Sequence, residues 1–282
     1  MPPTVIAEEP IIRLAAFLVV LAAVAAWEGL APRRHRILRR IRRWPGNLGL
    51  LVVNGLVVRL VAPGAAIAVA LAGERQDWGL LNGLEAPAWL AIPLAIVLLD
   101  LAVYVQHVVF HAVPALWRLH RVHHADLDFD VTTGIRFHPL EILLSLGIKC
   151  AAVAAIGAPA LAVLAFEVLL NATAMFNHAN ASLPARVDAW VRWFVVTPDM
   201  HRVHHSVLTE ETNSNFGFNV PWWDRLFGTY HTQPAAGHSA MVIGLRAFRT
   251  AEDARIDRLL LQPFRSNNER AHPKTHLTEG QQ

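Results

Sequence analysis

The chain of 282 residues is 54% hydrophobic, has only 17% charged residues and carries a formal net charge of +3. Soluble domains average about one quarter charged residues, so this composition argues against an ordinary soluble protein. The positive charge is concentrated in one arginine-rich stretch beside an apolar run, where anionic lipid is a sufficient partner. We therefore expect no nucleic-acid partner, and the apolar runs are first tested as membrane spans.

Four apolar regions are long enough to cross or enter a bilayer, which takes about 20 residues. Three of these regions are predicted to be single spans: 11–30, 48–72 and 86–110. The fourth, 140–175, is divided by "GAP" at 157–159, which predicts either one long span or a hairpin that returns to the side it left. Glu8 and Glu9 stand where a signal peptide would have basic residues, which argues against cleavage. The sequence predicts an all-α integral membrane helical bundle with three to four spans or a hairpin.

The loop between the first two spans orients this bundle. It reads "RRHRILRRIRRWP" and contains seven arginines. A short loop this basic stays on the cytoplasmic side, and its arginines are also expected to contact anionic lipid. With a hairpin at 140–175, residue 110 and everything from residue 178 onward fall on that same side. We therefore expect a cytoplasmic helical cap on a bundle in the inner (plasma) membrane of a bacterium.

Histidines form the most informative pattern of the chain. The pentapeptide His-Arg-Val-His-His occurs at 120–124 and again at 201–205. Each copy places histidines at i, i+3 and i+4, and His107 and His111 form an i, i+4 pair, so each set shares one face of a helix. Charged rings on such a face would repel each other, and neutral rings in apolar surroundings would lack partners. A bound divalent metal ion removes both difficulties.

Other residues near these sets are candidates for supporting roles. Asp100 and Tyr104 lie on the same stripe of the third span as the histidine pair. Asp100 is predicted to accept the N–H of a ligand histidine, and Tyr104 either does similar work or packs. His138, in "RFHPLE", is either a ligand or an interfacial cap, whereas His178, in "FNHAN", is predicted to be a ligand. The remaining histidines are interpreted as interfacial side chains: His35, His231, His238, His272 and His276.

This ligand set is too large for one metal ion and suits two ions with open coordination positions. Open positions favour catalysis or substrate entry over a structural role. The single cysteine, Cys150, excludes a thiolate-rich zinc site, but imidazole alone does not choose among Zn, Fe, Cu and Ni. A metal transporter would need ligands strung across the bilayer, and a zinc hydrolase would need a glutamate beside its ligands, as in HExxH. Neither histidine triplet contains such a glutamate.

The motifs, in chain order, resemble one known family. They are "DLAVYVQHVVFH", "HRVHHA", "RFHPLE", "FNHAN", "TPDMHRVHHS" and "NFGFNVPWWDRLFGTY". Together they are similar to the fatty acid hydroxylase superfamily, also called the sterol desaturase family, over roughly residues 95–232. The resemblance implies an integral membrane enzyme whose histidine-rich di-iron centre uses O2 to hydroxylate or desaturate a lipid. It carries over as metal ligands His107, His111, His120, His123, His124, His201, His204 and His205, with His178 and His138 as additional family histidines.

The same resemblance implies the cofactors and partners. These are two iron ions (Fe2+/Fe3+), O2 as co-substrate, a lipid substrate, and electrons from a separate carrier of the cytochrome b5 or ferredoxin type. Neither a fused haem domain nor a GxGxxG fingerprint is visible in the sequence, so an external reductant is expected. Hydroxylation is preferred over desaturation, since both begin with the same hydrogen abstraction, and ether-lipid cleavage is a third outcome.

The predicted organisation has three regions. Residues 1–94 form the N-terminal transmembrane helices with the arginine-rich loop, and residues 95–233 form the histidine-box catalytic domain. Residues 234–282 are expected to be peripheral, with one helix near 250–261 and a disordered polar tail. Within the catalytic domain, Thr197 and Pro198 predict the start of the helix that carries the second triplet, as N-cap and first helical residue.

Overall fold

The computed structural model describes residues 3–266. Within that range the chain folds into helices and loops, without a strand, and the predicted all-α class is confirmed. The α-helices are α1 Pro3–Leu30, α2 Arg40–Val61, α3 Ala65–Gln76, α4 Leu80–Gly83, α5 Ala88–Ala112, α6 Pro114–His124, α7 Pro139–Ile156, α8 Ala160–Asn177, α9 Ala185–Val191, α10 Pro198–His204, α11 Thr209–Thr212, α12 Trp222–Leu226, α13 Gly237–Ala240 and α14 Ile256–Leu261. Short 3-10 helices cover Thr133–Ile135, Ala251–Ala254 and Gln262–Phe264.

Several helices have the length and composition of membrane spans, so the chain is described as a membrane protein. Among residues 3–266 there are five such segments: Glu8–Leu30, Arg40–Gly83, Ala88–Ala112, Pro139–Ile156 and Ala160–Asn177. The region 48–72, predicted to be one span, is instead divided between two helices. α2 ends at Val61 and α3 begins at Ala65, because Pro63 lacks an N–H and Gly64 adopts a φ of +64°.

The fourth apolar region breaks where "GAP" predicts. Gly157 ends α7 with a φ of +67°, and α8 begins at Ala160. The first turn of α7 contacts the histidines through Glu141, and His178 directly follows α8. The chain therefore leaves the histidine-bearing end of the bundle along α7 and returns to it along α8. Helices α3 and α5 both pack against α7 and α8.

Small side chains allow these helices to approach closely. The largest buried apolar cluster joins α3, α5, α7 and α8. Many of its members are alanines, including Ala66 and Ala70 of α3, Ala95 of α5 and Ala162 of α8. In a bilayer, helices associate through close packing, because lipid offers no hydrophobic driving force between them. The cluster therefore holds the bundle together beside the histidine-bearing end.

The arginine-rich loop is tied to the histidine-bearing region of the chain by buried ion pairs. Arg43 is fully buried, with Nε 2.6 Å from Asp126 Oδ1 and Nη1 2.7 Å from Asp130 Oδ2. Arg40 pairs with Glu28 at 2.6 Å. The expected contact with lipid therefore does not describe Arg43, whose partners come from "DLDFD", immediately after the first histidine triplet. This ion pair fixes the start of α2 against the loop that follows α6.

The C-terminal segment is packed more tightly than a peripheral helix would be. Thr250 and Asp253 form a capping box on a 3-10 helix, and α14 follows it as a separate helix. Backbone carbonyls of this segment accept hydrogen bonds from two arginines of α6. Arg118 Nε donates to Pro263 O at 2.6 Å, and Arg121 Nη2 donates to Gln262 O at 2.5 Å. The segment thus braces the helix that carries the first triplet. The predicted polar tail, with His272 and His276, lies outside the described residues.

Candidate metal centre

Nine of the ten candidate histidines meet in two adjoining groups. Within each group the ligand nitrogen atoms lie within 4.8 Å of one another. The first histidine group contains His107, His111, His120, His124 and His204. The second histidine group contains His123, His178, His201 and His205. Helices α5, α6 and α10 and the end of α8 supply all nine rings.

Each triplet is shared between the two groups, which differs from the expectation that each set shares one face of a helix. His120 and His124 enter the first group, whereas His123 enters the second. In the other copy His201 and His205 enter the second group, and His204 crosses to the first. The reason is helical geometry: residues i and i+4 lie about 40° apart around the axis, whereas i+3 and i+4 lie about 100° apart. The i+3 ring therefore points to the neighbouring group in both copies.

Hydrogen bonds to the outer nitrogens fix the tautomers in the first group. His107 Nδ1 donates to the carbonyl of Phe216 at 2.7 Å, and His120 Nδ1 donates to Glu141 Oε1 at 2.6 Å. A neutral imidazole has one N–H, so each Nε2 is left with a bare lone pair. Yet these two Nε2 atoms lie 3.1 Å apart. Facing lone pairs repel each other unless a cation lies between them.

The second group repeats this arrangement around one ring. His178 Nδ1 donates to Ala174 O at 2.7 Å, and its Nε2 lies 3.1 Å from the Nε2 atoms of His123, His201 and His205. Burial lowers the pKa of His178 to about 3, and burial with neighbouring histidines lowers the pKa of the other three well below the ordinary value. The rings are therefore neutral, with their basic nitrogens turned toward a common point.

These distances fit metal coordination. With metal–nitrogen bonds of about 2.0–2.1 Å, two ligands on adjacent positions of one ion lie about 3 Å apart. The nitrogen pairs observed in the two groups lie 3.1–3.2 Å apart. All nine rings except His111 are buried. The hydrogen bonds from Nδ1 of His107, His120 and His178 to two carbonyls and a carboxylate are the usual support of ligand histidines. The histidine groups are therefore able to bind metal.

Asp100 is placed differently from the expectation, whereas Tyr104 packs, which is one of its two predicted roles, with its ring stacked on that of Phe227. Both are buried on the predicted stripe of α5, but neither contacts a ligand ring directly through a hydrogen bond. Asp100 Oδ2 accepts from Trp223 Nε1 at 2.8 Å, and Tyr104 Oη lies 2.9 Å from Thr229 Oγ1. The two side chains instead attach α5 to the aromatic segment that contains α12.

That segment supports the centre through Asp224. Its carboxylate accepts from the backbone N–H groups of Phe216 and Gly217 at 2.7 and 2.9 Å and from Thr229 Oγ1 at 2.7 Å. The carbonyl oxygen of Phe216 in turn accepts the hydrogen bond from His107 Nδ1. Burial raises the pKa of Asp224 to about 6, against the opposing effect of these hydrogen bonds. Asp224 therefore orients a histidine through the backbone of Phe216.

Glu141 is the supporting residue that sequence reasoning missed. It stands in the first turn of α7, three residues after His138 in "RFHPLE", and its carboxylate holds His120. His138 itself joins neither histidine group. Its Nδ1 accepts from Leu140 N at 3.2 Å as the N-cap of α7, and its Nε2 donates to Leu260 O at 3.2 Å. His35, His231 and His238 also stand apart from both groups. Thr197 caps α10 as predicted, accepting from Met200 N with Pro198 following it.

Two separate cavities reach the centre. The long cavity, about 380 Å³, has His107 and His120 among its lining residues and runs between apolar helices to Arg13 and Lys149. The His111 pocket, about 340 Å³, is lined by His111, Trp117, Arg121, Asn213 and Arg246, among others. No residue lines both cavities. The mainly apolar wall of the long cavity suits a lipid chain, whereas the wall of the His111 pocket mixes polar and apolar side chains.

This geometry defines a class of protein: an integral membrane protein with a histidine-rich metal centre at the end of an apolar cavity. Residues 92–229 match the family described as fatty acid hydroxylase. This segment is 138 of the 282 residues, and over it the resemblance inferred from the motifs is confirmed.

Relatives with known names support this placement. Ornithine lipid hydroxylase OlsE of Rhizobium tropici is 28% identical over 224 residues, which cover 77% of this chain and 66% of the relative. Alkylglycerol monooxygenase of Xenopus tropicalis is 28% identical over 132 residues, covering 46% and 28% of the two chains. Fatty acid hydroxylase vlmA of Lecanicillium sp is 24% identical over 186 residues, covering 58% and 48%. The chain spans less than two thirds of each of these relatives, and no solved structure matches it significantly.

Proposed function

We propose that this protein is a membrane-bound di-iron oxygenase that hydroxylates a lipid C–H bond with O2 and external electrons. The observation that carries the proposal is the convergence of bare Nε2 atoms at the end of an apolar cavity. Metal ions bound there would offer open coordination positions to a substrate that never enters water. The match to the fatty acid hydroxylase family supports iron as the metal, and the names of the relatives support oxidation of a lipid as the reaction.

The two bound irons would supply the O2 chemistry, and the protein supplies geometry and a dry channel. Phe216, Glu141 and Ala174 hold His107, His120 and His178 in the tautomers that present Nε2 to the metal. The long cavity guides an apolar chain past His107 and His120. Helices α5, α7 and α8 thereby exclude bulk water from the reacting carbon.

Electrons would come from a separate carrier of the cytochrome b5 or ferredoxin type. The His111 pocket supports an approach that does not cross the lipid path, because it reaches His111 from another side. Trp117 lies there with its ring centroid 4.8 Å from that of His111 and 5.2 Å from that of His124. We place this face on the cytoplasmic side of a bacterial inner membrane, as the arginine-rich loop indicates. Residues 95–233 would form the catalytic domain, preceded by the span-forming residues 1–94 and braced by the described portion of 234–282.

The test combines metal analysis with oxygen consumption. Protein purified without added zinc should contain about two iron atoms per chain and should consume O2 only with a reduced carrier and lipid present. Labelled lipid extracts should then yield a product heavier by one oxygen in mass spectrometry. One zinc per chain without O2 consumption would reject the proposal in favour of a zinc-binding membrane protein or hydrolase.

Ether-lipid cleavage is a second candidate at the same site. Two relatives, from Xenopus tropicalis and Homo sapiens, are named alkylglycerol monooxygenase. Hydroxylation next to an ether oxygen would release an aldehyde and an alcohol, whereas hydroxylation of an acyl chain leaves a stable hydroxy-lipid. Product analysis with an ether lipid and an acyl lipid offered together distinguishes the two candidates.

A further inference from the structure

A cluster of charged side chains lines the long cavity away from the histidines. Glu167 of α8 lies between two cations, with Oε1 2.6 Å from Lys149 Nζ of α7 and Oε2 2.9 Å from Arg13 Nη1 of α1. Arg13 also pairs with Glu9, four residues earlier on α1. Arg13, Lys149 and Glu167 all line the cavity, together with the amide-bearing Asn171. We call Arg13, Lys149 and Glu167 the cavity ion cluster.

Charges within membrane spans are costly and are functional candidates for that reason. The three side chains differ in exposure. Glu167 is only 4% exposed, whereas Lys149 is 21% and Arg13 is 36% exposed. The carboxylate is therefore enclosed, and the accessible groups are N–H donors. Lys149 has three N–H groups and Arg13 five, and the ion pairs with Glu167 and Glu9 use one nitrogen of each side chain, Lys149 Nζ and Arg13 Nη1.

The cluster stands at a defined distance from the centre. Lys149 lies eight residues after Glu141, the partner of His120, on the same helix α7, a rise of about 12 Å. Glu167 lies seven residues before Ala174, the partner of His178, on α8, a rise of about 10 Å. The two helices thus agree on the separation. The intervening cavity wall is mainly apolar, with residues such as Val103, Leu146 and Leu170.

We propose that the cavity ion cluster binds the acceptor oxygens of the lipid substrate, as a carboxylate or as an ester or amide carbonyl. An acceptor bound by Lys149 and Arg13 would fix the chain in the cavity. If the proposed oxygenase function holds, the oxidised carbon lies about 12 Å from that polar group. The cluster then decides both which lipids bind and which carbon reacts. A lipid without such an acceptor would fill the cavity only through apolar contact.

The test is a binding measurement on the metal-loaded full chain in nanodiscs, without O2 or reductant. Palmitate, methyl palmitate and hexadecane compete with a fluorescent fatty acid for the cavity. The parent should prefer the two oxygen-bearing probes. Lys149→Met should weaken both by about tenfold, roughly 1.4 kcal/mol, and leave hexadecane within about twofold. Lys149→Arg should restore binding, and Arg59→Met, a charge in α2 outside the cavity lining, should change nothing.

Glu167→Gln separates ligand binding from a purely structural ion pair. This change removes the competing carboxylate, so Lys149 and Arg13 become available and palmitate should bind several-fold more tightly. If the natural substrate is a free fatty acid, Glu167→Gln should increase the affinity for palmitate more than the affinity for methyl palmitate. If the natural substrate is an acyl ester or amide, both affinities should increase equally. Equal loss of all three probes in Lys149→Met, or unchanged binding of all three, would overturn the proposal.

The result is independent of turnover. If the protein fails as an oxygenase but Lys149→Met selectively loses the oxygen-bearing probes, the acceptor site stands and the reaction assignment falls. If turnover is confirmed but binding does not distinguish the probes, the acceptor site falls alone.

Discussion

The carboxylate of Glu141 lies 2.6 Å from Nδ1 of His120, and this contact turns Nε2 of the ring toward the first histidine group. Both side chains are buried, so the hydrogen bond lies in surroundings of low polarity, where it is stronger than in water. One residue from the start of α7 thereby sets the ligand geometry of a residue from α6. The first histidine group therefore depends on a contact between two helices.

Glu141→Gln should lower the affinity of the centre for metal by about 10–100-fold, because support of a ligand histidine is typically worth that much. The amide can still accept from Nδ1 but without the charge, so the loss should be smaller than in Glu141→Ala. Chelator competition followed by metal analysis measures the change. Glu210→Gln, on the exposed surface, serves as the matched control, and equal metal retention in both variants would contradict the role of Glu141.

Removing a ligand from either group should abolish activity while the protein still inserts in membranes. His123→Ala empties a position in the second group, and His204→Ala empties one in the first. Each variant should retain fewer metal ions per chain than the parent, with normal recovery from the membrane fraction. His35→Ala, at an exposed position, is the control. Full turnover in either box variant would show that the ligand assignment is wrong.

Gly134 tests how closely the backbone approaches the second group. A Cβ at this position would lie 2.5 Å from Ala174 O and 3.2 Å from His178 Nδ1, the two atoms of one hydrogen bond. Gly134→Ala should therefore displace His178 and reduce metal content and activity together. Gly147→Ala, where a Cβ meets nothing within 4 Å, should retain both. A Gly134→Ala protein with the metal content of the parent would contradict this geometry.

Asp224 predicts a pH dependence of stability. Its pKa is raised to about 6 in the folded state by burial, whereas an unfolded aspartate titrates near about 3.9. Between these values the folded state binds more protons, so the contribution of Asp224 to stability falls as the pH rises through this interval and is lost above about 6. Relative to Asp224→Asn, the parent should therefore lose about 2–3 kcal/mol between pH of about 4 and 7. Thermal unfolding of both proteins in detergent measures the difference, and a parent that gains stability relative to the variant as the pH rises would contradict the assignment.

Arg43 should be a structural anchor instead of a lipid contact. Arg43→Met leaves Asp130 buried without its cation and leaves Asp126 with only Arg136, at 3.9 Å, and breaking a buried pair typically costs about 3–5 kcal/mol. The neighbouring Arg42 is exposed, so Arg42→Met should have a much smaller effect on stability. Unfolding temperatures in detergent compare the two variants. Equal stability of both would mean that the buried pairs with Asp126 and Asp130 do not hold the loop.

Local features of the chain were predictable from sequence because they depend on neighbours along the chain. The apolar runs predicted an all-α fold, "GAP" predicted the break between α7 and α8, and Thr197 predicted the start of α10. The i, i+4 histidine spacing predicted the pairs 107/111, 120/124 and 201/205, and both members of each pair enter one group. These inferences need only the period of the helix and the conformational limits of glycine and proline.

Contacts between distant segments were decided only by the tertiary structure. Helical spacing separates His123 and His204 from the other members of their triplets, but which group each one joins depends on where α6 and α10 lie relative to each other. Nor does it distinguish Glu141, which reaches a ring, from Asp100, which binds Trp223 instead. His138 had two interpretations: its Nδ1 caps α7 by accepting from Leu140 N, and its Nε2 is held by the carbonyl of Leu260, 122 residues away. A hydrogen bond forms only over a few ångströms, and sequence separation carries no information on that scale.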